Sequence, residues 1–249
     1  MTVLRYDDAG SGEAVLLLHS SAADSRMWDP QWPALTARFR AIRPDLRGYG
    51  GTPWAADRPY SDAGDVLALL DGLGVRRVAV VGASHGGRVA LEVASARPGL
   101  VSRLVLLAAP CGLPATPELE AFAAEEMRLV EAGDLAGAAE LNARTWLGPD
   151  ATARTRAFLA EMQHRAYTLQ LAADPEPEQL EGEIDLDRIT VPALVVCGAH
   201  DLGYFRDSAR HLAARLPRAT LVELDWAGHL PSLERPEETT KLITGFLSD

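Results

Sequence analysis

Val78-Ala79-Val80-Val81-Gly82-Ala83-Ser84-His85-Gly86, continuing into Val89-Ala90-Leu91 and Val93-Ala94, is the stretch on which the fold turns. The apolar run ahead of Gly82 suits a buried strand, and the spacing after Gly86 suits a helix. A serine between glycines at a strand-to-helix turn meets the demands of a nucleophile elbow. The chain turns so sharply there that neighbouring Cβ atoms would clash, so the flanking glycines relieve the crowding and Ser84 Oγ stands clear of the sheet edge. The five-residue pattern is common by itself. Between a buried strand and a helix it signals a serine nucleophile.

Outward from the elbow, short apolar runs alternate with helix-like segments. Strands are expected at Val3–Tyr6, Ala14–Leu18, Arg40–Arg43, Arg77–Val81, Leu104–Ala108, Ala193–Cys197 and Thr220–Leu224. Several are apolar on both faces, as a parallel sheet covered on each side requires. Helices are expected at Trp32–Arg38, Ser61–Leu73, Gly87–Ala96, Ser208–Leu216 and Pro236–Leu247. This alternation predicts an α/β fold with a doubly wound, mostly parallel sheet. Residues 113–183 break the rhythm with alanine-rich amphipathic segments at Pro117–Ala132, Leu135–Trp146 and Ala151–Ala173, ending in a Pro/Glu-rich stretch. Residues 1–112 and 184–249 then form the core domain, and 113–183 a helical cap, or lid, across the strand ends where such sheets place their sites.

The 249 residues suffice for one large domain with a sizeable core, and 47% hydrophobic residues is ordinary for a globular chain. A formal net charge of −11 and the lack of a long basic run argue against nucleic-acid or membrane-surface binding. No apolar run approaches the ~20 residues of a membrane span. The N-terminus lacks the basic-then-apolar pattern of a signal peptide, so a cytoplasmic location is expected. Cys111 and Cys197 read as free thiols, with a single disulfide the alternative.

A serine hydroxyl needs a base, and the base an orienting carboxylate. Among six histidines, His19 ends a strand and is placed to brace a loop. His85 sits inside the elbow itself, His164 and His211 fall within helices, and His200 precedes Asp201. His229, in the glycine-containing loop Ala227-Gly228-His229-Leu230 after the last strand, is therefore the expected base. Asp201, where the strand Val195-Val196-Cys197 runs through Gly198 into an acid, is the expected carboxylate, with Asp225 a rival too close in sequence to His229. The order Ser84, Asp201, His229 is one of three orders in which such groups occur. The oxyanion is expected on the backbone N–H groups of His85 and Ser21, with Ser20 the rival to Ser21.

With these residues in place, the chain resembles the α/β-hydrolase superfamily over essentially its whole length. The resemblance rests on Leu16-Leu17-Leu18-His19-Ser20-Ser21 with Met27-Trp28, on Asp45-Leu46-Arg47-Gly48-Tyr49-Gly50-Gly51-Thr52, on the elbow, and on Gly198-Ala199-His200-Asp201 with Gly228-His229. Met27-Trp28-Asp29-Pro30-Gln31 and the compact insertion look most similar to 3-oxoadipate enol-lactonase-like and carboxylesterase-like members. Two departures are Ser20, where glycine is usual, and His85, where Met, Leu or Gln is common. His85 is thus a pocket-lining or substrate-polarising candidate, or a space filler. Serine at position 84 excludes the branches that carry aspartate there.

The resemblance implies a serine esterase or lactonase acting on a small molecule through an acyl-enzyme, with no cofactor and no metal. Ser20, Arg144, Trp146, Met162, Tyr167 and Tyr204, with Phe205, are candidates to contact substrate. Hydrolysis of a carbon–carbon bond, cofactor-free cyclisation or elimination, and a ligand-binding receptor with little turnover are the alternatives. A homodimer stays open.

Overall fold

The computed structural model describes residues 4–248. The chain runs β1 (Tyr6–Ala9), β2 (Ala14–Leu18), α1 (Trp32–Thr36), β3 (Arg40–Pro44), α2 (Asp62–Gly72), β4 (Val78–Ala83), α3 (His85–Ala96) and β5 (Val101–Leu107). Three helices follow, α4 (Pro117–Glu131), α5 (Leu135–Trp146) and α6 (Ala153–Leu171). The remainder is β6 (Ala193–Gly198), α7 (Gly203–Arg215), β7 (Ala219–Leu224), α8 (Pro231–Glu234) and α9 (Pro236–Ser248). The sheet order is β1-β3-β2-β4-β5-β6-β7, parallel throughout except for the antiparallel β1–β3 pair. The expected doubly wound, mostly parallel α/β architecture is therefore present.

Why the middle of the sheet is so apolar follows from its two covered faces. Every residue of β4 and β6 is buried. Leu16, Leu18, Val80, Leu104, Leu106 and Val195 pack toward α2 and α3 on one face. Leu17, Val81, Val105, Leu107 and Val196 join Met27, Trp28 and the helical insertion on the other. Among the described residues, no helix is long and apolar enough to cross a membrane. Cys111 and Cys197 are both free thiols; burial pushes the Cys197 thiol up to about 11.

The first strand is the main departure from expectation. It spans Tyr6–Ala9 rather than Val3–Tyr6, and Val3 lies outside the described residues. An edge strand with exposed faces has no apolar signature to read; it is held by its ladder to β3 and by Asp8–Arg40 and Asp7–Arg43 ion pairs. On the functional edge, α3 begins at His85 itself and α7 at Gly203, which brings Tyr204 and Phe205 into a helix. The short α8, just past His229, has no counterpart in the expected elements.

Parallel strands point their C-terminal ends at one edge, and backbone hydrogen bonds hold those ends side by side. The Ser84 N–H donates to Leu107 O (2.8 Å), Ala108 N–H to Val196 O (2.8 Å), Ala199 N–H to Leu224 O (2.8 Å) and His200 N–H to Ala227 O (2.9 Å). The segments bearing Ser84, Asp201 and His229 thus emerge at one edge of the sheet, from β4, β6 and β7, with β5 between the first two.

Candidate active site

Ser84 stands between β4 and α3 at φ 50°, ψ −120°, a conformation in which a non-glycine residue is strained. The glycines explain how the turn is tolerated. A Cβ on Gly82 would lie 2.3 Å from Gly86 O and 2.7 Å from Gly87 Cα. One on Gly86 would lie 2.4 Å from Leu18 O and 2.6 Å from His19 O. Bare backbone at position 86 therefore lets the start of α3 touch the end of β2. Gly86→Ala should destabilise the fold by about 3 kcal/mol, the upper end of overpacking costs, because its neighbours are main-chain atoms that cannot swing aside. The midpoint of urea unfolding measures this, and an unchanged midpoint would contradict it.

His229 and Asp201 form a buried pair, with Nδ1 of the imidazole 2.7 Å from Asp201 Oδ2. The other carboxylate oxygen accepts the Leu202 N–H at 2.7 Å, so both oxygens are engaged. His229 packs against Trp146 (ring centroids 4.6 Å apart) and Phe205 (4.2 Å), which meet each other at 5.7 Å, and Phe122 packs on Trp146 at 4.5 Å. Its backbone N–H donates to Trp146 O at 2.8 Å. Such a pair in a dry, aromatic surround can accept a proton on Nε2 while the carboxylate stabilises the resulting cation.

The loop after β2 carries the second group of donors. Ser20 helps to hold the loop: its Oγ accepts the Ala22 N–H (3.2 Å), and its N–H points at Met27 Sδ (3.3 Å). The Ser21 N–H takes no acceptor within the described residues. His85, as the first residue of α3, offers one of the N–H groups that a helix leaves without an intrahelical acceptor. Gln163 of α6, with its amide turned to satisfy its bonding, donates to the Ser21 and Ala22 carbonyls at 3.0 and 3.1 Å.

His19 is fully buried and braces this loop. Its Nε2 accepts the Leu46 N–H (2.9 Å), so Nδ1 carries the proton and donates to Ser20 O (2.9 Å). Leu46 is fixed by the turn that follows β3, where Asp45 accepts N–H bonds from Ser25 (2.9 Å) and Gly51 (2.8 Å). Burial pushes the His19 pKa below its ordinary 6.5, against the opposing pull of Asp45. As pH falls below 6.5, the unfolded chain takes up a proton that the native imidazole refuses, so stability present above that pH is lost toward the lower folded value. Thermal melts between pH 7 and 5 should show this slope reduced in His19→Gln; an identical slope would contradict it.

The other expected contact residues fall in several places. Trp146 lies on His229, and its indole N–H donates to Asn142 Oδ1 at 2.7 Å. Asn142 Nδ2 in turn meets Glu126 Oε1 (2.6 Å) and the Tyr167 hydroxyl (2.9 Å), and that hydroxyl donates to Glu126 Oε1 (2.5 Å). Tyr167 is therefore part of a network across α4, α5 and α6 that orients Trp146. Met162 is buried among the core side chains on the Trp28 face. Tyr204 is buried against Phe205, with ring centroids 5.0 Å apart. Arg144 is exposed and lines an open cavity of about 860 Å³ with Arg156, Gly148 and His200, whose walls do not include Ser84.

The side chain of His85 turns toward α2. Its Nε2 lies 2.7 Å from Asp62 Oδ2, which also accepts from Gln179 at 2.8 Å. The ring thus lines a separate cavity of about 260 Å³ with Asp62, Arg88 and Gln179. Among the described residues, no three His, Cys, Asp or Glu side chains gather to hold a metal ion.

Glu126, Asn142, Gln163 and Glu234 escape a reading of the sequence. Each is a polar residue on a helix, and only its tertiary partners distinguish it from a solvated one.

Residues 15–242 match the model of the alpha/beta hydrolase family. A putative carbamate hydrolase, RutD, from Caulobacter sp. (strain K31) is 29% identical, over 96% of this chain and 92% of its own. The enol-lactonase from Burkholderia xenovorans LB400 superposes with a TM-score of 0.81 at 28% identity, over 99% of this chain and 96% of its own. A thermophilic esterase from Thermogutta terrifontis superposes with a TM-score of 0.79 at 26% identity, over 98% of this chain and 93% of its own.

Proposed function

The chain belongs to the alpha/beta hydrolase family of enzymes, and we propose that it cleaves a small-molecule carboxylic ester or lactone through Ser84, His229 and Asp201. The observation that carries this reading is the buried 2.7 Å His229–Asp201 pair in the loops after β6 and β7, at the same sheet edge as a serine in the strained elbow conformation after β4. His229 Nε2 removes the Ser84 proton as Oγ attacks the carbonyl, and Asp201 on Nδ1 holds the tautomer and stabilises the imidazolium. The oxyanion is held by the N–H groups of Ser21 and His85, each worth on the order of 3 kcal/mol in the transition state. Protonated His229 then hands its proton to the leaving alcohol. Water, deprotonated by the same imidazole, releases the acid and regenerates Ser84.

Residues 113–183 serve as the cap, and the Phe122–Trp146–Phe205 cluster around His229 favours an apolar group beside the scissile bond. The relatives named as esterase, enol-lactonase and carbamate hydrolase act, by those names, on carbonyls with an oxygen or nitrogen leaving group, which supports the same bond class.

A fluorophosphonate probe tests the reading. Wild type should be labelled at Ser84 and Ser84→Ala should not. Turnover is then sought on aryl esters, lactones and carbamates. A wild type that stays unlabelled, or that turns over none of the panel, would overturn it.

A further inference from the structure

Glu234 ends the four-residue helix α8, and its carboxylate gathers backbone amides from both sides of His229. Gly228 N–H lies 3.1 and 3.0 Å from its two oxygens, Leu230 N–H 3.3 Å from Oε1, and Gly148 N–H 3.0 Å from Oε2. The His229 N–H between them donates to Trp146 O. Three consecutive amides of the loop are therefore tied to acceptors, and two of those ties also reach the junction after α5. The carboxylate has no ion-pair partner among the described residues, and burial pushes its pKa up against the pull of these N–H donors. A mostly buried carboxylate bound only by main-chain amides is a poor way to gain net stability. It is a good way to hold a backbone in one shape.

Three glycines make the junction possible. A Cβ on Gly198 would sit 2.0 Å from Gly228 O, one on Gly228 would sit 2.5 Å from Gly148 N, and one on Gly148 would sit 2.4 Å from Glu234 Oε2. The end of β6, the His229 loop and the segment after α5 thus meet backbone to backbone, with the carboxylate accepting from the last two.

We propose that Glu234 is the positioning residue of His229, locking its loop to the α5 end of the insertion so that the imidazole keeps its place between Asp201 and Ser84. The proposal rests on His229 being the base. A glutamine in place of Glu234 keeps one acceptor but turns an NH2 group toward the N–H donors, so at least one tie becomes a donor–donor contact. A displacement of about 1 Å at a reacting group costs on the order of 100-fold in rate.

The test compares wild type, Glu234→Gln, Gly148→Ala and the exposed control Glu238→Gln on an aryl ester, with active sites counted by fluorophosphonate labelling. In Glu234→Gln, kcat per labelled site should fall roughly 10- to 100-fold with KM within twofold. Gly148→Ala, whose Cβ would press on both the Glu234 carboxylate and the Gly228 backbone nitrogen, should lower kcat per labelled site at least as far. Glu238→Gln should match wild type. A purely structural Glu234 would lower Tm and the number of labelled sites while leaving kcat per site unchanged, and that outcome overturns the proposal. If Glu234→Gln does not fold, Glu234→Asp, which keeps the charge but draws the carboxylate back from the same amides, decides by the same measure. A wild type that fails to label at Ser84 would instead overturn the functional reading.

Discussion

Ser84→Ala is expected to lower kcat by about six orders of magnitude, with little change in stability. The alanine keeps the elbow, since Ser84 makes no side-chain cap to α3 and the φ of 50° is equally strained for either residue. What disappears is the oxygen that forms the acyl bond in the proposed mechanism. Residual hydrolysis would come from water activated at His229 and from the oxyanion donors, which act without the nucleophile. Because the proposed mechanism makes the serine and histidine one unit, His229→Ala should cost nearly as much, and the double variant scarcely more. Single-turnover kinetics on an aryl ester, with Tm measured in parallel, check this. A Ser84→Ala enzyme retaining a hundredth of wild-type turnover would mean that the reaction runs through another group.

Asp201→Asn should cost about 10⁴ in kcat at neutral pH, through the tautomer rather than the geometry. In the native chain Oδ1 accepts the Leu202 N–H and Oδ2 faces His229 Nδ1. An asparagine must keep its oxygen on Leu202, because its NH2 group there would face another donor. The amide NH2 then points at His229 Nδ1 and makes that nitrogen the acceptor. The proton is displaced to Nε2, the atom required to take the Ser84 proton. The imidazole stays in place in the wrong protonation state. KM should change little while kcat falls, and an Asp201→Asn enzyme within tenfold of wild type would show that Asp201 does not set the tautomer.

These two residues and His229 are legible in the sequence for one reason. Each follows a glycine-marked turn at the end of an apolar strand, and parallel strands send all such ends to one edge. The polar edge strand β1 is poorly legible, because Asp7 and Asp8 face solvent and arginines of β3 rather than a core. His85 is visible as an oddity, but its partner Asp62 is not, since the two meet only where α2 packs on α3. Likewise the Glu126–Asn142–Tyr167 network links one turn of each of three helices, and helical periodicity marks these positions only as facing a neighbour. Glu234 resembles any acid near a helix start until the amides of Gly228, Leu230 and Gly148 are seen converging on it.

The insertion is anchored unevenly, and this bears on how new substrate preferences could be acquired. Its α5 end is welded by glycine contacts and the Glu234 carboxylate to the loop that carries the imidazole, whereas α4 has no buried residue along its length. The packing side of α4 is only partly buried, and Phe122 on that side touches Trp146, which touches His229. Adaptation, natural or in a laboratory library, has a permissive helix one aromatic ring away from the chemistry. A library diversified at Leu119 and Phe122 should yield many folded variants with altered substrate range, while one diversified at residues 146–148 should yield few that fold.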